Sequence, residues 1–582
     1  MELVFLLILL ALSVTASCET FDYVIAGAGT CGLLLANRLS ENPNVRVAVI
    51  EPGDDVRNNP NVTDVGGFGS ALNTEIDWQY TTIPQLGGGN KSISFHAGKA
   101  IGGTSTINGM TYIRGDRAEF DAWESLGNEG WNWDALYPYF KQVENFSPPT
   151  AAQQAAGATF ISEDHGDSGK LKTGFPFRLF NGTFHESAQQ AWENLGYPLN
   201  LDVNSGDTRG FDIWPQTVDR DANVREDAAR AYYYPVEQRS NLKIIKGTVT
   251  KLTWANSSIG STLLADGIEY RSPDGQTLTV NAAIEVLLSA GSLRTPLILE
   301  RSGVGNPNIL KKNGIETKIE LFGVGEHLQE QPNTSLQYSS KINVTGTAPY
   351  ATFVTAQDIF GDQTSVVAAA TDSKLSEWAQ KVSGINNGAI NASQLENIFR
   401  IQHDLIFKRN ITVAETLTSA SANVLYSAFW LLLPFSRGSV HLKSTEDIDD
   451  PAIDPEYFLI DFDLTVQTAI GRLSQELWYT APVNDLVISN LAPGDATLPR
   501  NATDDQWAAF IASTLIPNHH PIGSASMMPR ELGGVVDPEL KVYGTSNVRV
   551  VDASVLPMQV SGHLTATLYA VAERAAEFIK NS

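Results

Sequence analysis

The feature that most constrains this chain is a β-α-β unit near its N-terminus, in residues 21 to 51. An apolar run from Tyr23 to Ala26 leads into Gly27-Ala28-Gly29-Thr30-Cys31-Gly32. A helical pattern continues to Ser40, and a second apolar strand ends at Glu51. A G-x-G-x-x-G turn between a strand and a helix predicts a Rossmann-like, dinucleotide-binding α/β domain with a parallel sheet.

Each glycine of this turn has its own physical role. Gly27 permits the tight turn, Gly29 lets the backbone approach a pyrophosphate, and Gly32 lets the helix pack closely on the strand. The helix begins near Thr30 and Cys31, where unpaired N–H groups and the helix dipole favour phosphate. We therefore assign these five residues to the binding of a cofactor.

Glu51 lies nineteen residues after Gly32, at the end of the second strand. An acid there is placed to accept hydrogen bonds from both hydroxyls of an adenosine ribose, which favours FAD or NAD over NADP. The alternative is a glycine-rich turn in another α/β fold. The two strands, the helix and the acid together argue against it, although FAD and NAD remain undecided.

Composition limits the possible partners of the chain. The 582 residues suggest two domains or one elaborated domain. A formal charge of −25 provides no basic surface for nucleic acid or anionic membranes. There are only two cysteines, so we expect no disulfide framework, and neither a CxxC motif nor a Cys/His cluster indicates a metal.

The N-terminus indicates a secretory route. Its apolar run from Leu3 to Val14 is short for a membrane span, and small residues follow at Ala16 and Ser17. We interpret residues 1–17 as a signal peptide, with an uncleaved anchor as the alternative. Ten Asn-x-Ser/Thr sites suggest a glycosylated, secreted protein: Asn61, Asn90, Asn145, Asn181, Asn256, Asn333, Asn343, Asn391, Asn410 and Asn501.

A second glycine-rich loop follows a long, weakly periodic segment, residues 52–89, that we interpret as a surface excursion and possible lid. Residues 96–110 contain four glycines, three hydroxyl side chains and Asn108. Such a loop is suited to lie against a flat, polar ligand, and a surface turn is the alternative.

These two loops and several later motifs resemble the glucose-methanol-choline (GMC) oxidoreductases, a family of flavoproteins with many secreted fungal members. The first loop is followed about 70 residues later by G-K-x-x-G-G-T-S-x-x-N-G. Residues 291–305 resemble the second family signature. Residues 323–330 resemble the V-G-x-N-L-Q-D loop, with His327 and Glu330 as departures. Residues 550–554 and 562–564 match near the C-terminus.

The resemblance implies FAD as the cofactor and a two-part GMC fold. The Rossmann-like FAD-binding domain would comprise residues 21–112, 228–328 and 524–582. An interwoven α+β substrate-binding domain would comprise residues 113–227 and 329–523. Residues implied at the FAD by the family motifs are Thr104, Asn108, Gly109, Thr111, Val249, Asp552 and Ala553. Because Ile107 replaces the histidine that tethers FAD in some relatives, we expect non-covalent binding.

Two histidines carry the catalytic prediction. Oxidation of an alcohol needs hydride transfer to flavin N5 and removal of the hydroxyl proton, and a neutral imidazole suits the second task. The family pattern N-x-H-P-x-G aligns with His520 and leaves His519 at the variable position. In Gly562-His563, the histidine matches the second residue of the family's catalytic pair. We assign His520 as the general base and His563 as its hydrogen-bonding partner. The two roles could be exchanged.

The substrate is less constrained by the sequence. The resemblance is strongest to the fungal FAD-dependent glucose dehydrogenases and glucose oxidase, in which a carboxylate at the position of Glu415 faces the sugar. Asn518 is a further substrate residue by its place in the histidine motif. However, Phe68 and Ile516 occupy positions where those enzymes have Tyr and Arg. Each change removes a hydrogen-bond donor for a sugar hydroxyl.

We therefore expect a secreted oxidoreductase that oxidises a CH–OH group of a sugar or small alcohol. An aromatic or secondary-metabolite alcohol is the alternative substrate. A non-redox lyase or cyclase of the same family and a catalytically silent binding protein are less favoured. The electron acceptor, oxygen or a quinone, is not encoded in any motif.

Overall fold

A computed structural model describes residues 19–581, apart from 177–178, 180–182, 260–261, 347–349 and 447. The signal peptide assigned to residues 1–17 and the glycosylation site at Asn181 lie outside the described residues.

The described strands, in chain order, are β1 (Thr20–Ala26), β2 (Val47–Glu51), β3 (Tyr80–Thr81), β4 (Ser94–Phe95), β5 (Glu144–Ser147), β6 (Leu171–Gly174), β7 (Gly210–Ile213), β8 (Val218–Asp219), β9 (Val224–Arg225), β10 (Leu242–Lys246), β11 (Thr248–Ile259), β12 (Thr262–Arg271), β13 (Thr277–Leu288), β14 (Val304–Gly305), β15 (Ile319–Glu320), β16 (Pro332–Val344), β17 (Tyr350–Thr355), β18 (Thr412–Leu431), β19 (Ser439–Leu442), β20 (Pro451–Asp454), β21 (Val487–Ala492), β22 (Ile516–Pro517) and β23 (Val548–Val550).

The described α-helices are α1 (Thr30–Leu39), α2 (Pro60–Thr63), α3 (Arg117–Ser125), α4 (Trp133–Val143), α5 (Ala151–Ala155), α6 (Thr183–Asn194), α7 (Thr295–Arg301), α8 (Pro307–Lys312), α9 (Ala356–Phe360), α10 (Thr364–Ser383), α11 (Ala392–Phe407), α12 (Asp461–Leu477), α13 (Asp504–Thr514) and α14 (Leu564–Asn581).

The first large sheet has seven strands and carries the predicted β-α-β unit. β10, β2, β1, β13 and β23 lie parallel in that order, and β12 and β11 extend the sheet from the first half of β13 in antiparallel fashion. All five residues of β2 are buried, as expected for a parallel strand covered on both faces. Helices α1 and α14 pack against each other. The Rossmann-like α/β architecture is therefore confirmed.

The second large sheet has six strands and is antiparallel. Its order is β21-β16-β18-β17-β7, and β22 pairs with the beginning of β16. Along most of β16 buried residues alternate with half-buried ones, which is typical of a sheet with one face on the core. The second half of β18 begins after Ala422, whose φ of 51° interrupts the strand. One face of this sheet forms part of the cavity described below.

The strands of the two sheets can be placed on the domain ranges that the sequence analysis gives. Every strand of the seven-stranded sheet lies in residues 21–112, 228–328 or 524–582, except that β1 begins one residue earlier. Every strand of the six-stranded sheet lies in residues 113–227 or 329–523. The boundaries themselves stay a prediction. Within the described ranges, no helix has the length and hydropathy of a membrane span.

Candidate active site

One cavity of about 770 Å³ extends between the two large sheets. It brings together nearly all of the residues that the sequence assigns to cofactor, catalysis and substrate. Those on its wall are Gly27, Gly29, Thr30, Cys31, Glu51, Phe68, Thr104, Asn108, Gly109, Thr111, Val249, Ile516, Asn518, His520, Asp552, Ala553 and His563. Gly32 and Glu415 lie behind the wall.

The dinucleotide turn is built from glycines that have three different surroundings. A Cβ on Gly27, whose φ is +100°, would lie 2.5 Å from the carbonyl oxygen of Ser289, and one on Gly32 would lie 2.0 Å from that of Gly27. A Cβ on Gly29 would meet nothing closer than Gly103 Cα at 3.9 Å. Gly27 and Gly32 are therefore needed for folding, whereas Gly29 leaves open space at the N-terminus of α1.

Glu51 fixes the shape of this turn as well as facing the cavity. Its carboxylate oxygens accept hydrogen bonds from Ala28 N at 2.9 Å and Gly53 N at 2.8 Å. Burial raises the pKa of Glu51 to about 7, although these two bonds act in the opposite direction. The remaining lone pairs are available to the hydroxyls of a ribose.

The second glycine-rich loop packs directly on the first. A Cβ on Gly103 would lie 2.6 Å from Gly29 Cα, so only glycine allows this contact. The loop is organised by Arg225, a buried residue more than 100 positions away. Its Nη1 donates to the backbone oxygen and to Oδ1 of Asn108, both at 2.7 Å, and its Nε donates to Val62 O. Arg225 therefore fixes the Asn108 side chain at the cavity.

Asp552, in the C-terminal motif at 550–554, is hydrogen bonded to the signature at 291–305 at the base of the cavity. Its Oδ2 accepts from Gly291 N at 2.9 Å and from the Thr295 hydroxyl at 2.6 Å, and its Oδ1 accepts from Ser554 N at 2.8 Å. The C-terminal motif is thereby tied to the start of α7, with Ala553 beside it on the cavity wall.

His520 is held so that one ring nitrogen remains free to accept a proton. Its Nδ1 lies 2.8 Å from Gln331 Oε1, and the Gln331 amide is oriented by a bond from Nε2 to Leu432 O. Asn518 Nδ2 also lies 3.1 Å from this Nδ1, but it donates to Gln331 Oε1 at 3.0 Å, and Gln331 Oε1 is the nearer partner of the ring. Because Gln331 Oε1 can only accept, Nδ1 carries the hydrogen and Nε2 carries the lone pair. Burial and the neighbouring His563 hold the pKa of His520 well below its usual range, so this imidazole is neutral at pH 7.

His563 lies beside His520, with ring centroids 5.0 Å apart in an edge-to-face arrangement. Burial lowers the pKa of His563 to about 3. Two cavity-lining indoles flank it, Trp214 at 6.5 Å and Trp430 at 6.0 Å between centroids. The cavity therefore contains two adjacent, neutral imidazoles.

Glu415 does not lie where a sugar could reach it. The expected contact with substrate is replaced by a contact with His563, whose Nε2 lies 3.1 Å from Glu415 Oε1. Glu415 is completely buried, and burial raises its pKa well above the ordinary value for a carboxyl group. A neutral Glu415 donates to His563 Nε2, which leaves the hydrogen of His563 on Nδ1. The prediction that Glu415 binds substrate is corrected for this reason.

The outer part of the cavity is apolar at the two positions where relatives have donors. Phe68 is 64% exposed and Ile516 is 48% exposed, although both line the cavity. Asn518 is polar, but its amide is already bonded: Nδ2 donates to Gln331 Oε1 and Oδ1 accepts from Asn333 Nδ2, both at 3.0 Å. These three positions therefore offer little hydrogen bonding to a substrate with many hydroxyls.

Comparison with known families decides the classification. The chain matches the family models of GMC oxidoreductases over residues 21–333 and 434–572. The chain belongs to the GMC oxidoreductase family. This confirms the resemblance that the sequence motifs indicate.

Individual relatives agree with the family assignment. A glucose oxidase-like protein of Humicola fuscoatra, fsoC, is 54% identical and aligns over 100% of both chains. An FAD-dependent oxidoreductase from Chaetomium thermophilum is 30% identical, with a TM-score of 0.86 over 96% of this chain and 99% of the other. A fungal aryl-alcohol oxidase is 27% identical, with a TM-score of 0.81 over the same shares of the two chains.

As a GMC oxidoreductase the chain is an FAD-dependent enzyme, and its residues fit that cofactor. Open space at Gly29, the free N-terminus of α1 and the Glu51 carboxylate suit the adenosine diphosphate half. Ile107 lies on the wall of the cavity and offers no nucleophile for a covalent bond, so non-covalent binding stays the expectation. In the described part of the chain, no cluster of His, Cys, Asp and Glu forms a metal site.

Two residues that organise the site have no signal of their own in the sequence. Gln331 directly follows the family loop at 323–330, and this adjacency is the only available indication. Arg225 reaches Asn108 across 117 positions of the chain. Contacts of this kind depend on the tertiary fold and not on a local pattern.

Proposed function

We propose that this enzyme oxidises the CH–OH group of a sugar or small alcohol, with His520 as the base and His563 as the residue that orients the oxygen. The observation that carries the proposal is the neutral His520–His563 pair in the cavity that also contains the dinucleotide turn. A bound FAD supplies the two-electron acceptor for the hydrogen on carbon.

The hydrogen positions give the two histidines different tasks. His520 Nε2 has a free lone pair and takes the hydroxyl proton, while its Nδ1–H remains bonded to Gln331. His563 carries its hydrogen on Nδ1 and donates it to the substrate oxygen, which fixes that oxygen relative to His520. Both tasks require the neutral imidazoles that burial produces.

The test is an anaerobic titration of the FAD-loaded enzyme with glucose, other sugars and benzylic alcohols. We expect the flavin absorbance to bleach with at least one of them, and His520→Ala to slow the bleaching by about 10²- to 10⁴-fold with unchanged flavin content. A lyase or cyclase would convert its substrate while the flavin stays yellow. Unchanged turnover in His520→Ala would point to a binding protein or to another base. Admitting air or adding a quinone then identifies the electron acceptor, with peroxide as the sign of an oxidase.

Oxidation of an aromatic or secondary-metabolite alcohol is the second candidate, and the apolar outer cavity favours it. Phe68 and Ile516 offer packing surface but no hydrogen bonds, and the Asn518 amide is occupied. The relatives differ in the substrate that their names indicate. The protein fsoC is named glucose oxidase-like, whereas one of the similar structures is of an aryl-alcohol oxidase.

Restoring the missing donors tests this second candidate. We expect the double variant Phe68→Tyr, Ile516→Arg to raise kcat/KM for glucose relative to benzyl alcohol by about tenfold or more, because each donor pairs with a sugar hydroxyl. Phe68→Leu, Ile516→Leu is the matched control without donors. An equal change in both double variants would show that the two positions act by size alone.

We further propose that the protein is secreted and N-glycosylated. The leader at residues 1–17 and the ten Asn-x-Ser/Thr sites support this. Asn333 is a poor acceptor because its side chain lines the cavity and donates to Asn518. Expression in a fungal host should place the protein in the medium, and a glycosidase should lower its apparent mass. Retention in the cell pellet with the leader uncleaved would support the anchor instead.

A further inference from the structure

A third histidine, His519, faces the cavity next to His520 and has no part in the chemistry above. It occupies the variable position of the histidine motif, and its φ of 62° places a non-glycine residue in the left-handed region. Such strain persists where the surroundings enforce it, and it is concentrated at functional sites. We therefore considered what holds this side chain and what it presents to the cavity.

Three contacts fix the ring of His519. Phe95 packs edge-to-face against it at 5.4 Å between centroids, and the His96 ring lies tilted against it at 5.2 Å. The backbone N–H of His96 donates to His519 Nδ1 at 3.3 Å. Since an N–H can only donate, Nδ1 is the acceptor and the hydrogen of the neutral ring lies on Nε2. The donor is a backbone group, so this hydrogen position does not depend on any side-chain ionisation.

His519 Nε2 is open to the cavity. Among the described residues no group forms a hydrogen bond with it. His519 lines the cavity, and its Nε2 is not among the buried nitrogens that lack a partner. Burial, His96 and His520 together lower the pKa of His519 to about 3, so the ring stays neutral across the physiological range. The site thus contains a fixed, uncharged N–H donor that has no acceptor in the described part of the chain.

We propose that His519 is a binding residue of this cavity, whose Nε2–H donates a hydrogen bond to an oxygen or ring nitrogen of the group bound beside His520. That acceptor belongs either to the flavin ring or to the substrate. His520 and His519, adjacent in sequence, then divide the work: one accepts a proton from the substrate and the other donates a hydrogen bond. The substrate alternative rests on the proposed alcohol oxidation, whereas the flavin alternative does not.

The test compares His519→Phe with the parent, both as full-length, FAD-loaded enzyme. Phenylalanine keeps a ring against Phe95 and removes the Nε2–H, together with the Nδ1 acceptor of the His96 N–H. If the acceptor is on the flavin, the electron-rich reduced form loses the donor, and the midpoint potential falls. We expect the reduction equilibrium to change about tenfold, which is about 30 mV for a two-electron couple. If the acceptor is on the substrate, the apparent KM rises about tenfold and the potential stays unchanged.

Phe95→Leu is the control, because it loosens the packing of His519 and leaves its donor in place. His519→Asn is a second variant: asparagine adopts the left-handed backbone readily, and its shorter amide does not reach the position of Nε2. The proposal is overturned if both His519 variants bind FAD and keep the parent's potential, flavin spectrum and KM. It is also overturned if Phe95→Leu reproduces their effect, because the ring would then act through packing.

Discussion

Glu415 and His563 form a pair in which the position of one proton determines what the histidine offers to substrate. Among the residues that the structure describes, Glu415 Oε2 has no hydrogen-bond partner and no cation balances a charge on this carboxyl group. A buried, unpaired carboxylate is costly, whereas a neutral acid donates from Oε1 to His563 Nε2 and carries no charge that needs a partner at Oε2. At the scale of single residues, the environment of Glu415 therefore sets the tautomer of His563.

Replacing Glu415 distinguishes a neutral donor from a carboxylate. In Glu415→Gln the amide N–H₂ still donates to His563 Nε2, so we expect kcat to stay within about threefold of the parent. In Glu415→Leu the donor is absent and His563 can rotate or change tautomer, and we expect a loss of about 10²-fold. Steady-state kinetics with equal flavin content measures both. An equally large loss in Glu415→Gln would show that the negative charge is what His563 requires.

The β1–turn–α1 element shows that neighbouring glycines of one motif are present for different reasons. Gly32→Ala places a methyl group 2.0 Å from the Gly27 carbonyl oxygen, so we expect loss of stability by several kcal/mol or failure to fold. Gly29→Ala finds free space within the protein, so the FAD-free protein should unfold at an unchanged temperature. Its methyl group enters the space open to the phosphates, and the Kd for FAD should rise about tenfold or more.

Calorimetry of the FAD-free protein and fluorescence titration with FAD separate these effects. Gly275→Ala is the control, since no atom lies within 4 Å of a Cβ there and the position is far from the turn, although its positive φ predicts a small loss of stability. A Gly29→Ala protein that binds FAD like the parent would show that the backbone does not approach the phosphates at this residue.

The elements that the sequence predicts well are those with a local pattern. The strand, turn and helix at Tyr23 to Leu39 follow from periodicity and glycine spacing, and the structure has them within a few residues. The contacts of Glu415 could not be predicted, because they require a residue of β18 to meet the start of α14 across 148 positions. Family resemblance assigned Glu415 to the substrate. Only the three-dimensional arrangement showed that His563 covers it.

At the scale of the whole molecule, a half-buried histidine links three segments that are distant in sequence. His441 in β19 contacts Glu300 of α7 at 2.7 Å through Nδ1 and Glu326 at 3.0 Å through Nε2. Burial alone lowers the pKa of His441, but the two carboxylates more than offset this and raise it to about 10. The interaction therefore supports the fold while His441 is protonated.

This linkage predicts a loss of stability at alkaline pH. The unfolded chain titrates near pH 6.5, so the contribution of His441 is complete below that pH and is lost as pH rises to about 10. The total is on the order of 5 kcal/mol. We expect the unfolding midpoint of His441→Gln to depend less on pH between 6.5 and 10 than that of the parent. His185→Gln is the control because burial lowers the pKa of His185, which takes its titration out of this range. Parallel pH profiles for the parent and His441→Gln would contradict the assignment.

The cavity wall draws on residues from Gly27 to Leu568, so almost the entire chain must be synthesised before the wall is complete. β1 forms the centre of its sheet only when β13 pairs with it, and Asp552 closes the base only after β23 is in place. Contacts of such wide sequence separation form late in folding. A chain still emerging from the ribosome therefore has its glycine turn but no finished pocket. We therefore expect FAD to bind only after α14 has folded, in whichever compartment that happens.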